Sequence, residues 1–215
     1  MKILDLLEKQ IETVVSPDGK YRGKFKNVSS PNDGSAGFFS RVKDDKTDPH
    51  MIVKNTIKPQ YSDGYHTYIK ELIERDLIDT NPHFPRVYNV KRIEDRHGYN
   101  VYKYTMEKLV RLVDLSPEMQ KAVLVNNFKV NPEELEILEN KYEERAIGFY
   151  IAEFLEAGAG GDVSRIKSSS LVDALKVLGV IKEENNMLSF DIHINNYMIR
   201  MTSHGPQIVL TDPFS

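Results

Sequence analysis

Acidic and amide side chains follow one another at short spacing near the C-terminal end of the sequence. Asp191 precedes His193 and Asn196, and Asp212 comes just after the apolar residues 208–210. Asp and Asn oxygens bind hard divalent cations, and a carboxylate can also orient or deprotonate a hydroxyl group. Phosphoryl transfer from a nucleotide needs one Asp at the acceptor, with an Asn and a second Asp on the metal ions. The spacing therefore favours phosphoryl transfer.

A purely structural interpretation accounts for the same residues. Asp191 and Asn196 could form an Asx-turn network that only holds a loop, with His193 as a hydrogen-bonded structural histidine. Asp212 could be an ordinary turn residue before Pro213. A zinc site is disfavoured, because only one histidine is nearby and the chain has no cysteine.

Phosphate-binding groups are predicted upstream. Gly34, Ser35, Ala36 and Gly37 form a small-residue loop between two predicted strands, where backbone N–H groups could approach phosphates. A simple hairpin turn is the alternative. Lys54 is predicted to end an apolar strand over residues 51–53, from which its ammonium could reach phosphates.

A carboxylate on the next helix would hold Lys54. Glu71 is the first candidate and Glu74 the second, and a solvated lysine with exposed glutamates is the alternative. Met106 and Glu107 follow the last strand of the N-terminal half. Small molecules bind preferentially at domain junctions, so we expect an adenine to dock against backbone groups here.

The periodicities predict an α+β fold in which strands precede helices. The first half is predicted to be a five-stranded antiparallel sheet with one inserted helix, preceded by an amphipathic helix over residues 3–15. Its strands cover residues 21–28, 38–42, 51–53, 87–90 and 99–106. The second half is predicted to be mostly helical. One helix opens at Pro117 with Ser116 as its N-cap, a longer helix runs from Pro132 to the breaker at Gly158, a third covers residues 171–180, and a terminal hairpin follows. We expect two domains, residues 1–107 and 108–215.

Composition excludes several classes of protein. Of 215 residues, 40% are hydrophobic and 28% charged, which is ordinary for a chain with a buried core. The net charge of −3 provides no basic field for nucleic acid or an anionic membrane. No apolar run is long enough to span a membrane. Acidic residues interrupt the apolar cluster at the N-terminus, which is not typical of a secretory signal peptide. We expect a soluble cytoplasmic protein.

The ordered series of these parts resembles the protein kinase-like superfamily, and within it the small early protein kinases of short-tailed bacteriophages. The resemblance covers nearly the whole chain and is carried by residues 34–42, 52–54, 81–88, 104–109, 191–196 and 209–213. The Asp-x-His spacing of the loop is also similar to that of aminoglycoside and choline phosphotransferases. It therefore leaves open whether the acceptor is a protein or a small molecule.

The resemblance implies a two-lobed fold and an ATP- and Mg²⁺-dependent serine/threonine kinase that acts on host proteins in the host cytoplasm. Lys54 would contact the α- and β-phosphates and Glu71 would orient it. Asp191 would orient or deprotonate the acceptor hydroxyl, and Asn196 and Asp212 would hold Mg²⁺.

Three departures from the family pattern bear on activity. Ser189-Phe190 replaces the usual His-Arg before the catalytic Asp, and Asp212-Pro213-Phe214 replaces Asp-Phe-Gly. The sequence ends at Ser215, where kinases continue with an activation segment and helices that bind substrate. Either the helices between residues 116 and 180 take over that role, or the chain is an inactive kinase-like module that binds and inhibits a host protein. A phage protein without a nucleotide site is the third alternative.

Overall fold

The computed structural model describes residues 40–45, 48–57, 64–94, 100–141 and 146–215. They form an α+β fold with antiparallel sheets, which confirms the predicted fold class. The predicted N-terminal helix, the strand over residues 21–28 and the loop Gly34–Gly37 lie outside the described residues. Among the described helices, none combines the length and hydropathy needed to cross a membrane.

Two compact units divide the chain. The first contains the described residues up to Arg75 and Arg86–Lys108, and the second contains Asp76–Pro85 and Leu109–Ser215. The predicted division after residue 107 assigned residues 76–85 to the first domain. They belong to the second unit because their polar groups bond there. The carbonyl of His83, for example, accepts a 2.9 Å hydrogen bond from the N–H of Leu210.

The described part of the first unit contains a four-stranded antiparallel sheet. Its strands are β1 (Ser40–Asp44), β2 (Met51–Ile57), β3 (Val87–Glu94) and β4 (Asn100–Glu107), in the spatial order β1-β2-β4-β3. Lys54 was predicted to end its strand, and this is wrong. Pairing with the long strand β4 extends β2 to Ile57, so that Lys54 lies at its middle, opposite Val42 on β1 and Tyr104 on β4.

The described part of this unit also contains the helix α1 (Gly64–Glu74). Its buried side chains recur at the spacing of a single helix face: Tyr65, Tyr68, Ile69 and Leu72.

The second unit is mostly helical in its described part, as predicted. A 3₁₀ turn (Leu112–Asp114) precedes α2 (Pro117–Asn127), α3 (Pro132–Lys141), α4 (Ala146–Ala159) and α5 (Ser169–Glu184). The single helix predicted over residues 132–158 corresponds to α3 and α4, and residues 142–145 between them lie outside the described residues. The antiparallel strands β5 (Tyr197–Thr202) and β6 (Gly205–Leu210) form the predicted terminal hairpin.

The second unit has its own apolar core, formed by helices α2, α4 and α5 and the hairpin. Its fully buried members include Leu112, Val123, Leu124, Phe128, Ile151, Leu155, Leu171, Leu175, Leu178, Tyr197, Ile199 and Ile208. The hairpin is also tied to the start of this unit by reciprocal backbone hydrogen bonds of 2.8 and 2.9 Å between Val110 and Ile199. The candidate loop is therefore connected to a packed scaffold.

Candidate active site

The loop that carries Asp191 is paired with the last residues of the chain. The backbones of Ser189 and Ser215 exchange hydrogen bonds of 3.1 and 3.2 Å, and the N–H of Asp191 donates to the carbonyl of Pro213 at 2.9 Å. Phe190 and Phe214 form an antiparallel bridge between these two segments. The backbone of Asp191 is thus held in a short two-stranded arrangement.

Aromatic and apolar packing supports the same pairing. The rings of Phe190 and Phe214 stack with centroids 5.7 Å apart and planes inclined by 22°. The ammonium of Lys182, on α5, lies 4.8 Å from the centroid of the Phe190 ring. Leu188 and Ile192 on either side are buried. The flanks of Asp191 are therefore anchored, while its own side chain is 43% exposed and accessible to a substrate.

Asn196 links the backbones of the two predicted aspartates. Its Nδ2 donates to the carbonyl of Asp191 at 2.7 Å, and its own carbonyl accepts the N–H of Asp212 at 2.9 Å. The same carbonyl accepts two hydrogen bonds from Thr211, from N–H at 3.1 Å and from Oγ1 at 2.9 Å. Residues that are distant in sequence are therefore brought together by one asparagine. A hydrogen-bond network that holds the loop is present, and it brings together the backbones of the same residues that the chemical interpretation requires.

His193 lies beside the carboxylate of Asp191. Its Nδ1 accepts a 3.2 Å hydrogen bond from the N–H of Asn195, so that the neutral ring carries its proton on Nε2. That Nε2 is 3.7 Å from Oδ1 of Asp191. The imidazole therefore presents an N–H, and when protonated a positive charge, to the side chain predicted to act on the acceptor hydroxyl.

Helix α4 contacts this loop closely at Gly148. A Cβ at this position would collide with Cδ1 of Ile194, so that a larger residue would require the loop side chain to move. The hydroxyl of Tyr197 donates to the carbonyl of Gly148 at 2.8 Å, and burial raises the pKa of this phenol. The helix thus supports the loop from within the core of the second unit.

The donor set of the cluster fits Mg²⁺. Because Nδ2 of Asn196 is directed at the Asp191 carbonyl, its Oδ1 faces away and is the atom that can bind a cation. Mg²⁺ sites commonly use one or two carboxylates and are completed by substrate phosphates and water. Asn196 and Asp212 match that pattern. In the described ranges, no group of three or more His, Asp or Glu side chains is arranged to hold a metal.

Lys54 is buried in the first unit. Only 7% of the residue is exposed, and its Nζ lies 3.4 Å from the centroid of the Tyr65 ring on α1. Helix α1 therefore contacts Lys54 through an aromatic ring, whereas the prediction was a carboxylate of this helix. The loop Gly34–Gly37, predicted to cover phosphates, cannot be compared because it lies outside the described residues.

The two candidate glutamates have basic partners on their own helix. The carboxylate of Glu71 accepts hydrogen bonds from Nε and Nη2 of Arg75, both at 3.1 Å, and Glu74 lies 3.6 Å from Lys70. Both pairs are one helical turn apart, the spacing at which opposite charges meet on a helix. That either glutamate orients Lys54 stays a prediction.

Met106 and Glu107 lie inside β4 rather than after it. Met106 is buried, and its Sδ accepts a hydrogen bond from the hydroxyl of Tyr65 at 3.2 Å. The N–H of Glu107 donates to the carbonyl of Arg86, and the N–H of Lys108 donates to the carbonyl of His50. An adenine docked at this point would therefore need groups other than these two amides.

Two residues of interest escaped the sequence analysis. No local pattern in the sequence signals the contact of Tyr65 with Lys54. His83 is almost fully buried, with Nδ1 bonded to the carbonyl of Ile208 at 2.8 Å and Nε2 3.1 Å from Oγ of Ser170. Burial is the main cause that lowers the pKa of His83, and the nearby charge of Arg200 acts in the same direction. This histidine anchors residues 76–85 to the second unit.

Compared with known protein families and with curated proteins, the sequence has no match.

Proposed function

We propose that the chain is an ATP- and Mg²⁺-dependent kinase that transfers the terminal phosphoryl group of ATP to serine or threonine hydroxyls of a protein. The observation that carries this proposal is the cluster in which Asn196 bonds to both Asp191 and Asp212. These bonds hold together the backbones of three residues whose side chains are a carboxylate, an amide and a second carboxylate, the protein groups that phosphoryl transfer uses.

Each residue of the cluster has a distinct part in the proposed reaction. The carboxylate of Asp191 orients the acceptor hydroxyl and takes its proton. The hydroxyl oxygen forms a bond to the terminal phosphorus as the bond from that phosphorus to the bridging oxygen breaks, and ADP leaves. Asn196, through Oδ1, and Asp212, through its carboxylate, would hold Mg²⁺, which when bound screens the charge on the phosphoryl oxygens.

The first unit would supply the phosphate-binding cation. Lys54 lies at the middle of β2, opposite Tyr104 of β4, and its ammonium faces helix α1. A sheet lysine beside a helix is the arrangement that protein kinases use to hold the α- and β-phosphates. A kinase-like two-lobed layout, with the two units as its lobes, is part of the proposal. So are a bacteriophage origin and a host-protein target, which rest on the sequence resemblance.

The direct test is transfer of labelled phosphate from ATP to protein substrates or to the chain itself. We expect Asp191→Asn, which keeps the shape of the side chain but cannot accept the proton, to lower the rate by roughly 10²- to 10⁴-fold. Asp173→Ala, at an exposed aspartate of α5, is the matched control and should retain the parent rate. An Asp191→Asn rate equal to that of the parent would refute the assignment.

Thermal melts separate binding from turnover. With Mg²⁺ and ATP at a hundred times its Kd, a specific site stabilises the folded chain by about 2.7 kcal/mol. For a chain of this size, that corresponds to a rise in Tm of roughly 5–10 °C. A rise without phosphate transfer would favour the inactive module that binds a host protein. Transfer to metabolites but not to proteins would correct the substrate class.

A further inference from the structure

Two serines at the N-terminal end of α5 lie against the buried ring of His83. Oγ of Ser170 is 3.1 Å from Nε2 of His83 and 2.9 Å from Oγ of Ser168. On the other side of the ring, Nδ1 lies 2.8 Å from the carbonyl of Ile208 on β6. Because a carbonyl only accepts, Nδ1 carries the proton of the neutral ring and Nε2 presents its lone pair to Ser170. The hydroxyl of Ser170 therefore donates to a histidine whose tautomer is fixed.

Asn81 holds both members of this pair in place. Its Oδ1 accepts the N–H of His83 at 2.9 Å, and its Nδ2 donates to the carbonyl of Ser170 at 2.9 Å. The histidine is only 2% exposed, whereas Ser170 is half-buried. The imidazole is thus shielded from water, and the serine lies where a small molecule can approach it.

The surroundings of His83 keep its ring neutral. Burial is the main cause that lowers the pKa of His83, the hydrogen bond to the carbonyl of Ile208 acts in the opposite direction, and the charge of Arg200 on β5 acts with burial. Arg200 is close because its Nη2 donates to the carbonyl of Phe84, the next residue after His83, at 3.0 Å. A neutral imidazole that accepts from a hydroxyl is the form that can take up the proton of that hydroxyl.

We propose that Ser170 is a nucleophile with His83 as its general base, and that this pair takes acyl groups from small carboxylic esters. A serine nucleophile is activated by a histidine within hydrogen-bond reach, and a third group orients that histidine. Here the third group is the backbone carbonyl of Ile208. None of these residues takes part in the proposed phosphoryl transfer, so the two activities are independent.

In the proposed reaction, Oγ of Ser170 forms a bond to the carbonyl carbon of the ester while its proton moves to Nε2 of His83. The bond from that carbon to the alcohol oxygen then breaks, and His83 gives the proton to the departing alcohol. Water releases the acyl group in the same way. Its oxygen bonds to the carbonyl carbon, its proton passes through His83 to Oγ of Ser170, and the carboxylic acid leaves.

The test is acetylation of the full chain by p-nitrophenyl acetate, with the modified residue identified by peptide mass spectrometry. Ser203, an exposed serine between β5 and β6, is the internal reference. Ser170 should be acetylated roughly 10²- to 10⁴-fold faster than Ser203, which is the contribution of a positioned base. Ser170→Ala should abolish the burst of nitrophenolate, and Ser203→Ala should leave it unchanged.

The pH profile of the parent tests the base without any substitution. Because His83 must be neutral, the rate at Ser170 should be constant above about pH 6.5 and decrease toward the lower pKa of the folded histidine. In His83→Gln, the rate at Ser170 should fall to that of Ser203, and the parent profile remains decisive if this variant does not fold. Equal rates at Ser170 and Ser203 in the parent, a burst that survives in Ser170→Ala, or a rate that rises in proportion to hydroxide concentration would overturn the proposal.

Discussion

Asn196 has two separable roles, one structural and one in metal binding, and substitutions can divide them. Its Nδ2 donates to the carbonyl of Asp191 at 2.7 Å, and its Oδ1 is the proposed Mg²⁺ ligand. Asn196→Ala removes both groups. Asn196→Asp keeps an oxygen for the metal but places a carboxylate oxygen against the Asp191 carbonyl, where a donor is needed. We therefore expect the two variants to rank in opposite orders for stability and for activity.

The magnitudes follow from the hydrogen bond. Losing it in Asn196→Ala should cost about 0.5–1.5 kcal/mol, whereas opposing an acceptor to a partly buried carbonyl in Asn196→Asp should cost about 1–3 kcal/mol. In a chain of this size, 1 kcal/mol corresponds to a Tm change of roughly 2–4 °C. At the middle of each range, Asn196→Asp should therefore melt roughly 4–8 °C below the parent, and Asn196→Ala roughly 2–4 °C below it.

Phosphate transfer should show the reverse order. Losing a charge-stabilising ligand typically lowers kcat by about 10²- to 10³-fold, which we expect for Asn196→Ala. Asn196→Asp should recover much of the rate as Mg²⁺ is raised, because its carboxylate can bind the ion. The assays are scanning fluorimetry without ligand and phosphate transfer over a Mg²⁺ series. Identical ranking of the variants in both, or a parent-like Tm for Asn196→Ala, would refute the reasoning.

Two further predictions concern the anchoring of the loop that carries Asp191 and the pH dependence caused by His83. Phe214→Ala removes a buried ring that stacks on Phe190 and should destabilise the fold by about 3–5 kcal/mol, less if the terminal segment detaches locally. In Phe214→Ala, hydrogen exchange of the Asp191 amide should then accelerate, and an unchanged exchange rate would contradict the anchoring role. Phe149→Ala is the control, because its ring is 56% exposed. It should change the unfolding free energy by less than about 0.5 kcal/mol. Burial lowers the pKa of His83 in the folded protein, so the unfolded chain binds a proton more readily than the folded chain does. The free energy of unfolding should therefore be highest above about pH 6.5, the ordinary pKa of histidine. It should decrease as the pH drops from there toward the lower pKa of the folded state. Urea unfolding at pH 7.5 and 5.5 should show that His83→Gln loses part of this pH dependence. If the unfolding free energy changed equally with pH in parent and variant, His83 would be excluded as its cause.

Local patterns in the sequence were sufficient for most of the described elements. Ser116 was predicted to cap a helix that opens with Pro117, and its Oγ accepts the N–H of Met119. The four predicted strands that fall in the described ranges are present. These predictions depend on neighbours within a few residues, where side-chain alternation, capping and turn chemistry act directly.

Predictions that depended on distant partners were less accurate. Lys54 was placed at a strand end because its apolar run stops there, but pairing with β4 continues the strand. Residues 76–85 were assigned to the first domain by their order in the chain. Their attachment to the second unit depends on His83 and Asn81, whose partners on β6 and α5 lie far along the sequence.

The sequence by itself determined the types of element, their order, and the set of side chains able to serve phosphoryl transfer, since these follow from residue chemistry and short-range periodicity. Only the tertiary structure decided which groups meet. Asn196 reaches Asp212 because the hairpin β5–β6 returns the chain beside the loop, and Lys54 meets Tyr65 because strand pairing and helix packing place them on one face. Such contacts arise from register and packing, which no short stretch of sequence encodes.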